Sequence, residues 1–359
     1  MSLKWIKPHK LDIYKLSILF LILSLLLPTM YCQAQEGNKV ITIVDALGRT
    51  VEIDKEPVRV VSLAPSITET LFYLDIKHVI VGVDNFSYYD PYMDIDVFVR
   101  EYNVENVGGY WWTTIDVEKI LYLKPDLILA DKGAHQPLLK VFEDYGLKVV
   151  YLNGGGSRSL NDIYYDFNII ATIFNVQEKV SSFINNVEKE FVEYRNKFLG
   201  LNASRVLVVV DVYKGIWVAG KATFIDDILS KLGLVNVAEL MGWVNVDIES
   251  IMKWSPDIIL IASTSVTEES LKGTGLYTLD KPIIFLREDV VNSLVRPGPR
   301  IINVPKYLYE AIGNFLTNTS TTIEQPLMEY PVLYRVALFL IPVFIAGFLA
   351  GYAVSMRRR

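Results

Sequence analysis

The chain has 359 residues, 51% of them hydrophobic, and a formal net charge of −6, so it can bury a sizeable core and fill two domains. Eight of its 35 basic and one of its 41 acidic residues lie in the two terminal segments described below, which leaves the rest at a net charge of −13. That balance argues against a nucleic-acid partner, because phosphate binding needs a basic face. The single cysteine, Cys32, lies near the amino terminus, so the main part of the chain has no disulfide.

Residues 1–34 are typical of a secretory signal peptide. Four lysines precede the apolar run at residues 16–27, and Cys32-Gln33-Ala34 offers a small-residue cleavage site. The apolar run of about 12 residues is short for an uncleaved anchor, which needs about 20. Lipidation of Cys32 is disfavoured because residues 29–31 lack the small side chains expected before such a site.

Residues 35–157 form the first predicted lobe. Residues 40–53 alternate apolar and polar positions around Gly48, which predicts a hairpin. A buried strand at residues 58–63 precedes a helix that Ser66 and Glu69 would begin as a capping box. Beyond it lie a strand at residues 79–83, an aromatic turn at 84–91, a charged loop at 94–106, a helix at 137–145 and a strand at 148–152.

One stretch of this lobe, residues 112–130, recurs at residues 243–261. The shared positions are Trp112 and Trp243, Asp116 and Asp247, Glu118 and Glu249, Pro125 and Pro256, and Asp126 and Asp257. Each copy predicts an Asp-capped helix that a proline ends, followed by a strand buried on both faces. Two copies indicate two similar lobes.

Residues 158–203 are predicted to connect the lobes through two helices. The second, at about residues 176–200, begins with a capping box at Asn175 and Glu178 and carries an apolar stripe at helical spacing. A helix of this length is a stiff connector, so the lobes should rock by small angles.

Residues 204–316 form the second predicted lobe. It begins with a strand at residues 205–210 and an aromatic turn at 213–217, and it ends with a helix at 301–316. The order of strands and helices predicts an α/β fold with a parallel central sheet in each lobe.

The carboxyl-terminal segments predict attachment to a membrane. Residues 317–331 are a polar stalk, residues 332–356 a transmembrane anchor, and residues 357–359 a tail of three arginines. The arginines stay in the cytoplasm by the positive-inside rule. The protein is therefore expected to be single-pass, with its binding domain outside the cytoplasm.

Signals of catalysis are weak. Three histidines without a metal-binding spacing argue against a zinc or manganese site, and a Gly-x-Ser-x-Gly elbow does not occur. Aromatic residues are instead dense after predicted strands, where open α/β sheets bind ligands. Those singled out are Tyr88, Tyr89, Trp112, Trp217 and Trp243.

These motifs together resemble the solute-binding proteins of ABC transporters that take up cobalamin, haem and ferric siderophores, most closely the cobalamin-binding members. The likeness covers about residues 58–316. It rests on residues 62–69 (SLAPSITE), 81–83 followed by Tyr88 and Tyr89, Trp112 with Glu118 and residues 124–130, Trp243 with Glu249 and residues 255–257, and residues 296–300 (RPGPR). The sequence departs from the cobalamin pattern at Asp131-Lys132, where that family places another tryptophan.

The resemblance implies two Rossmann-like lobes joined by one long helix, and a monomer that catalyses no reaction. Tyr89, Trp112 and Trp243 match aromatic positions of the ligand cleft, and we also expect ligand contacts from Tyr88, Trp217 and Arg296. Glu118 and Glu249 match glutamates that dock on a permease dimer, whose ATPase subunits are further partners.

Three ligand classes fit an aromatic cleft: a corrinoid such as cobalamin, haem and a ferric siderophore. The alternatives from other classes are a tethered tetrapyrrole or metal chelatase or reductase and a surface adhesion module without a small ligand. No resident cofactor is expected.

Overall fold

The computed structural model describes residues 40–90, 95–200 and 204–317. The predicted signal peptide, anchor and basic tail, and all but the first residue of the predicted stalk, lie outside these ranges. Among the described helices, none combines the length and the apolar character that crossing a membrane requires.

The first lobe contains an antiparallel hairpin and a parallel sheet with the strand order β5-β4-β3-β6-β7. Its strands are β1 (Ile41–Val44), β2 (Thr50–Ile53), β3 (Val60–Ser62), β4 (Ile80–Val83), β5 (Glu105–Asn106), β6 (Leu127–Asp131) and β7 (Val149–Leu152). Its helices are α1 (Pro65–Tyr73), α2 (Asn85–Tyr88), α3 (Ile95–Tyr102), α4 (Val117–Leu123), α5 (Lys132–His135) and α6 (Leu139–Asp144).

Two helices follow, α7 (Leu160–Ile173) and α8 (Gln177–Phe198). At 1.5 Å per residue, α8 is about 33 Å long. Its buried residues recur at helical spacing and face α7 and the carboxyl-terminal helix; they are Val180, Phe183, Val187, Phe191 and Phe198.

The second lobe contains a mixed sheet with the order β11-β9-β8-β12-β13, in which β10 also pairs with β8. Its strands are β8 (Arg205–Asp211), β9 (Ile216–Ala219), β10 (Val235–Asn236), β11 (Trp243–Val246), β12 (Ile258–Ile261) and β13 (Ile283–Phe285). Its helices are α9 (Phe224–Lys231), α10 (Ile248–Trp254), α11 (Glu268–Lys272), α12 (Glu288–Leu294) and α13 (Val304–Thr317).

Alternate residues of the central strands face two different cores, which explains their continuous apolar sequences. In β6, Leu127 and Leu129 join the large core around α7 and α8, whereas Ile128 and Ala130 join a smaller core on the outer face. Strand β12 divides its residues in the same way. The large core contains residues of both lobes, so it ties them together.

Both predicted capping boxes are wrong. The N-cap of α1 is Ala64 and not Ser66, because Glu69 is bonded to arginines of the second lobe. The N-cap of α8 is Val176. Asn175 has a φ of +53°, the left-handed conformation that ends a helix, so it follows α7 and does not cap α8.

Three other expectations need correction. The charged loop at residues 94–106 contains α3 and β5. The second sheet is mixed, since β9 is antiparallel to both β8 and β11. Trp217 and Trp243 lie within strands and not in loops after strands. For Trp217 the reason is that the turn before β9 is a hairpin in which Lys214 and Gly215 adopt positive φ.

Candidate functional site

Each copy of the repeated unit forms a helix with the same ends. Asp116 accepts a hydrogen bond from the Lys119 amide at 2.9 Å, and Asp247 accepts one from the Ser250 amide at 2.8 Å, so the predicted N-caps are confirmed. Lys124 ends α4 and Ser255 ends α10, both in the left-handed conformation.

The aspartate of the repeated Pro-Asp pair connects the end of each helix to the start of a neighbouring strand. Asp126 accepts from the amides of Val58 and Arg59 at 2.9 and 3.1 Å. The guanidinium of Arg59 in turn donates to the carbonyl of Leu123 at 2.6 Å, at the end of α4.

The second lobe repeats this arrangement. Asp257 accepts from the amides of Ser204 and Arg205, and Arg205 donates to the carbonyls of Trp254 and Ser255. Sequence reasoning missed both arginines, although Arg59 stands directly before β3 and Arg205 is the first residue of β8.

Glu118 and Glu249 lie in the first turn of these two helices, and both are exposed. Negative charge is favourable at this end of a helix. Because the caps and the arginine contacts hold both helices, the two carboxylates have defined positions on the two lobes.

The aromatic residues of the first lobe that are predicted to bind ligand are partly open to solvent. Trp112 begins a 3-10 turn and is 45% exposed, and Tyr89 is 51% exposed. Tyr88 is half-buried against the large core and meets Tyr89 edge to face, with ring centroids 5.1 Å apart.

Trp243 lies where the two lobes meet. It is the first residue of β11 and packs edge to face on Phe224 of its own lobe, with ring centroids 5.8 Å apart. Its indole Nε1 donates to the carbonyl of Gly155 in the first lobe at 3.3 Å. A residue predicted to contact ligand therefore faces the opposite lobe.

Gly155 belongs to a 3-10 turn, Gly154–Gly156, that follows β7. Its amide donates to the Asp131 carboxylate at 2.7 Å, and the Tyr110 hydroxyl donates to the same oxygen at 2.6 Å. Gly154 has a φ of +51°, and a Cβ there would lie 2.3 Å from Asp131. The turn therefore requires glycine at this position.

Asp131, Tyr110 and His135 form a polar cluster in which the carboxylate of Asp131 accepts hydrogen bonds at both oxygens. The other carboxylate oxygen of Asp131 accepts from the amides of Gly133 and Ala134. His135 accepts at Nδ1 from the Asp131 amide, so its Nε2 carries the hydrogen that faces the Tyr110 carbonyl. Burial lowers the pKa of His135 and raises the pKa of Tyr110 well above its usual value. His135 and Tyr110 therefore stay neutral, and their hydrogen bonds fix the loop before Trp112.

Two buried aspartates hold the loops beside this cluster. Asp166 accepts from the amides of Asn153 and Gly154, and its burial raises its pKa to about 7. Asp84 caps α2, and burial raises its pKa to about 6.

Trp217 is buried within its own lobe. It is 6% exposed, lies within β9 and donates to the carbonyl of Tyr213 at 3.0 Å. Its predicted ligand contact stays untested, but its indole already has a partner within its own lobe.

Arg296 lies in a mostly buried ionic cluster between the lobes. It pairs with Glu69 at 3.0 Å and with Asp90, both from the first lobe, and Arg300 pairs with the same two carboxylates. In this arrangement the arginine joins the lobes, and its predicted ligand contact stays untested. Among the described residues, no group of three or more His, Cys, Asp or Glu side chains has a metal-binding arrangement.

Comparison with known proteins identifies the class. Residues 60–277 match the periplasmic binding protein family, which is more than half of the chain, so the chain belongs to that family. It is therefore a solute-binding protein and not an enzyme, and the tethered chelatase or reductase loses its support.

Three relatives are similar over most of the chain. The uncharacterized ABC transporter substrate-binding lipoprotein YvrC of Bacillus subtilis is 28% identical over 281 residues, which are 76% of this chain and 85% of the relative. The vitamin B12-binding protein of Pectobacterium carotovorum is 27% identical over 250 residues, 68% of this chain and 85% of the relative. The crystal structure of a possible iron-binding (periplasmic solute-binding) protein from Staphylococcus epidermidis is 27% identical with a TM-score of 0.56, over 72% of this chain and 99% of that one.

Proposed function

We propose that this protein is the extracytoplasmic, membrane-anchored solute-binding component of an ABC importer. It captures cobalamin or a related corrinoid between its lobes and delivers it to a permease dimer with ATPase subunits. The observation that carries the proposal is the repeated unit, which gives each lobe one tryptophan and one exposed glutamate six residues further on.

A bulky, flat ligand suits the aromatic side chains of both lobes. Trp112 and Tyr89 expose about half of their surface on the first lobe, and exposed apolar groups of this size are typical of binding surfaces. Trp243 contacts Gly155 of the first lobe. A ligand between the lobes would meet an indole from each side.

Cobalamin is the first choice among the three ligand classes because a vitamin B12-binding protein is among the similar relatives. The ferric-siderophore or haem alternative is supported by the similarity to a possible iron-binding protein. Aromatic side chains alone do not separate these ligands.

Glu118 and Glu249 are proposed to dock on the permease. A permease dimer has two-fold symmetry, so a monomer that meets it needs one equivalent group on each lobe. The matching ends of α4 and α10 support such an equivalence. Exposed charge pairs contribute mainly to register and to the rate of association.

The proposed arrangement places lobes at residues 35–157 and 204–316, the helical connector at 158–203, and the anchor at 332–356. Association with a membrane is supported by the lipoprotein name of the Bacillus relative and by the apolar run before the terminal arginines.

The test is a titration of the full chain in detergent micelles, followed by ultraviolet-visible absorbance. Cyanocobalamin should bind saturably, with one ligand per chain, and should compete successfully with haem and ferric chelates. Binding of haem or a ferric chelate without cyanocobalamin would support the alternative ligands. Absence of binding by all three classes would contradict the transport function and favour an adhesion module.

A further inference from the structure

The hydrogen bond between Trp243 and Gly155 joins a donor of one lobe to an acceptor of the other. Its length of 3.3 Å exceeds the usual 2.9 to 3.0 Å for an N–H···O bond. A bond that long is weak, and its two groups are therefore available for exchange with a ligand when the lobes move apart.

We propose that the Trp243 indole N–H and the Gly155 carbonyl form a subsite for a carboxamide of the ligand; this deepens the proposed function and rests on it. A carboxamide carries an acceptor oxygen and an N–H donor in one plane. Its oxygen would accept from the indole, and its N–H would donate to Gly155. Both protein groups would exchange their mutual bond for bonds to the ligand.

The acceptor side of this subsite is held rigidly. Asp131, which is 1% exposed, accepts from the Gly155 amide, and Tyr110 donates to the same carboxylate oxygen. Asp166 holds the preceding amides of Asn153 and Gly154 at 2.8 and 2.9 Å. The direction of the Gly155 carbonyl is thus fixed before a ligand arrives, which lowers the entropic cost of binding.

The donor side is held as well. The backbone of Trp243 pairs with Ala219 at the end of β9, and its ring packs against the buried Phe224. Only the movement of one lobe against the other separates the two groups.

Asp131 itself is not available to the ligand. It accepts four hydrogen bonds, two at each carboxylate oxygen. It therefore acts as a positioning residue for the Gly155 carbonyl.

This subsite distinguishes ligand classes by their hydrogen-bonding groups. Corrinoids carry several peripheral carboxamides, whereas haem carries carboxylates, which when ionised only accept. A carboxylate at this place leaves the Gly155 carbonyl unpaired in the closed cleft. Leaving one such group unpaired weakens binding by about 5- to 150-fold.

The test compares cyanocobalamin with its monocarboxylic acid derivatives, in each of which one peripheral carboxamide is hydrolysed. The full chain in detergent micelles should bind at least one of these acids about tenfold more weakly than the parent. Trp243→Phe keeps an aromatic ring but loses the N–H, which bonds more strongly to a carboxylate than to a carboxamide oxygen, and should therefore raise that ratio.

Two further variants separate the subsite from general damage. Asp131→Asn preserves volume but loses acceptors for the Gly155 amide, so the Gly155 carbonyl is held less firmly and the ratio should fall. Tyr122→Phe removes a hydroxyl from a side chain that is 83% exposed, so it is the control and should leave the ratio unchanged. Circular dichroism and thermal unfolding would confirm that each variant is folded.

Equal ratios in the wild type and Trp243→Phe for every acid derivative would overturn the subsite, even if cyanocobalamin binds tightly. Binding of haem without binding of cyanocobalamin would overturn both the subsite and the corrinoid proposal. The two failures are therefore distinguishable.

Discussion

The two copies of the repeated unit share one framework and differ in how their tryptophans are placed. In both, an aspartate caps the helix, a left-handed residue ends it, and a Pro-Asp pair holds the start of the neighbouring strand. Trp112 stands in an exposed 3-10 turn. Trp243 begins a strand of an antiparallel pair and reaches the other lobe.

The shared helix framework suits the proposed docking, and the differing tryptophans suit the proposed ligand binding. Under the proposed function, a two-fold permease meets Glu118 and Glu249, which lie at equivalent positions in the first turns of α4 and α10. A ligand is not symmetric about the cleft, so the residues that precede each helix are free to differ. The following variants would break or sharpen this comparison.

The largest effect is expected where the lobes join. Glu69→Gln leaves two mostly buried guanidinium groups without one of their two carboxylates. It should lower the free energy of unfolding by about 3 kcal/mol, because it leaves buried charge uncompensated. Urea unfolding measures this. Glu118→Gln, on the exposed end of α4, is the matched control and should change stability by less than about 0.5 kcal/mol.

The turn that carries Gly155 should make stability depend on pH. Burial raises the pKa of Asp166 from 3.8 to about 7, so between these values the folded protein binds more protons than the unfolded chain. The contribution of Asp166 to the free energy of unfolding is therefore largest at low pH. It falls as pH rises towards 7, by at most about 1.4 kcal/mol per pH unit. Asp84, with a pKa of about 6, adds to the same trend.

Asp166→Asn should make that fall shallower. Urea unfolding of both proteins at several pH values between about 4 and 7 gives the two slopes. Identical slopes would show that Asp166 does not titrate in this range in the folded protein.

The shared framework predicts equal effects in the two lobes. Asp126→Ala and Asp257→Ala each remove two backbone hydrogen bonds, and each should cost about 1 kcal/mol of unfolding free energy. Asp144→Ala removes only an exposed ion pair with Lys140 and serves as the control. A large effect in one lobe alone would show that the two units are not equivalent.

The differing tryptophans predict unequal effects on ligand affinity. Trp112→Ala and Trp243→Ala should each weaken binding of cyanocobalamin by about 0.5 to 1.5 kcal/mol beyond the lost contact area. The effect at Trp243 should be larger because its indole N–H also bonds. Tyr122→Ala removes a side chain that is 83% exposed and should leave affinity unchanged; unchanged affinity in both tryptophan variants would reject the clamp.

The smallest effects are expected for docking. Glu118→Ala and Glu249→Ala should each slow association with the permease complex by about two- to fivefold at low salt, with ligand affinity unchanged. Surface plasmon resonance on permease in nanodiscs measures the rates, and Glu193→Ala on α8 is the control. Loss of ligand binding in the double variant would assign these glutamates another role.

Local patterns predicted the features that depend on neighbouring residues. The hairpin at Gly48, the aspartate caps of α4 and α10, and the buried runs in β6 and β12 follow from composition and spacing over a few residues. The same reasoning failed at Glu69, which forms a good local capping box in sequence but pairs with an arginine 231 residues away.

The contacts between the lobes were not predictable for the same reason. The Trp243 bond to Gly155 spans 88 residues, and the Arg296 bond to Asp90 spans 206. Spacing along the chain carries no information about such pairs. The aromatic residues at 213–217 predict a loop, and this pattern hides the hairpin turn at Lys214 and Gly215 that makes β9 antiparallel.

The most direct measurement is a crystal structure of the protein with bound cyanocobalamin. We expect the corrin ring between the lobes, in contact with both Trp112 and Trp243, and a carboxamide within hydrogen-bonding distance of the Gly155 carbonyl. A ligand bound to one lobe alone, or bound outside the cleft, would contradict capture between the two lobes.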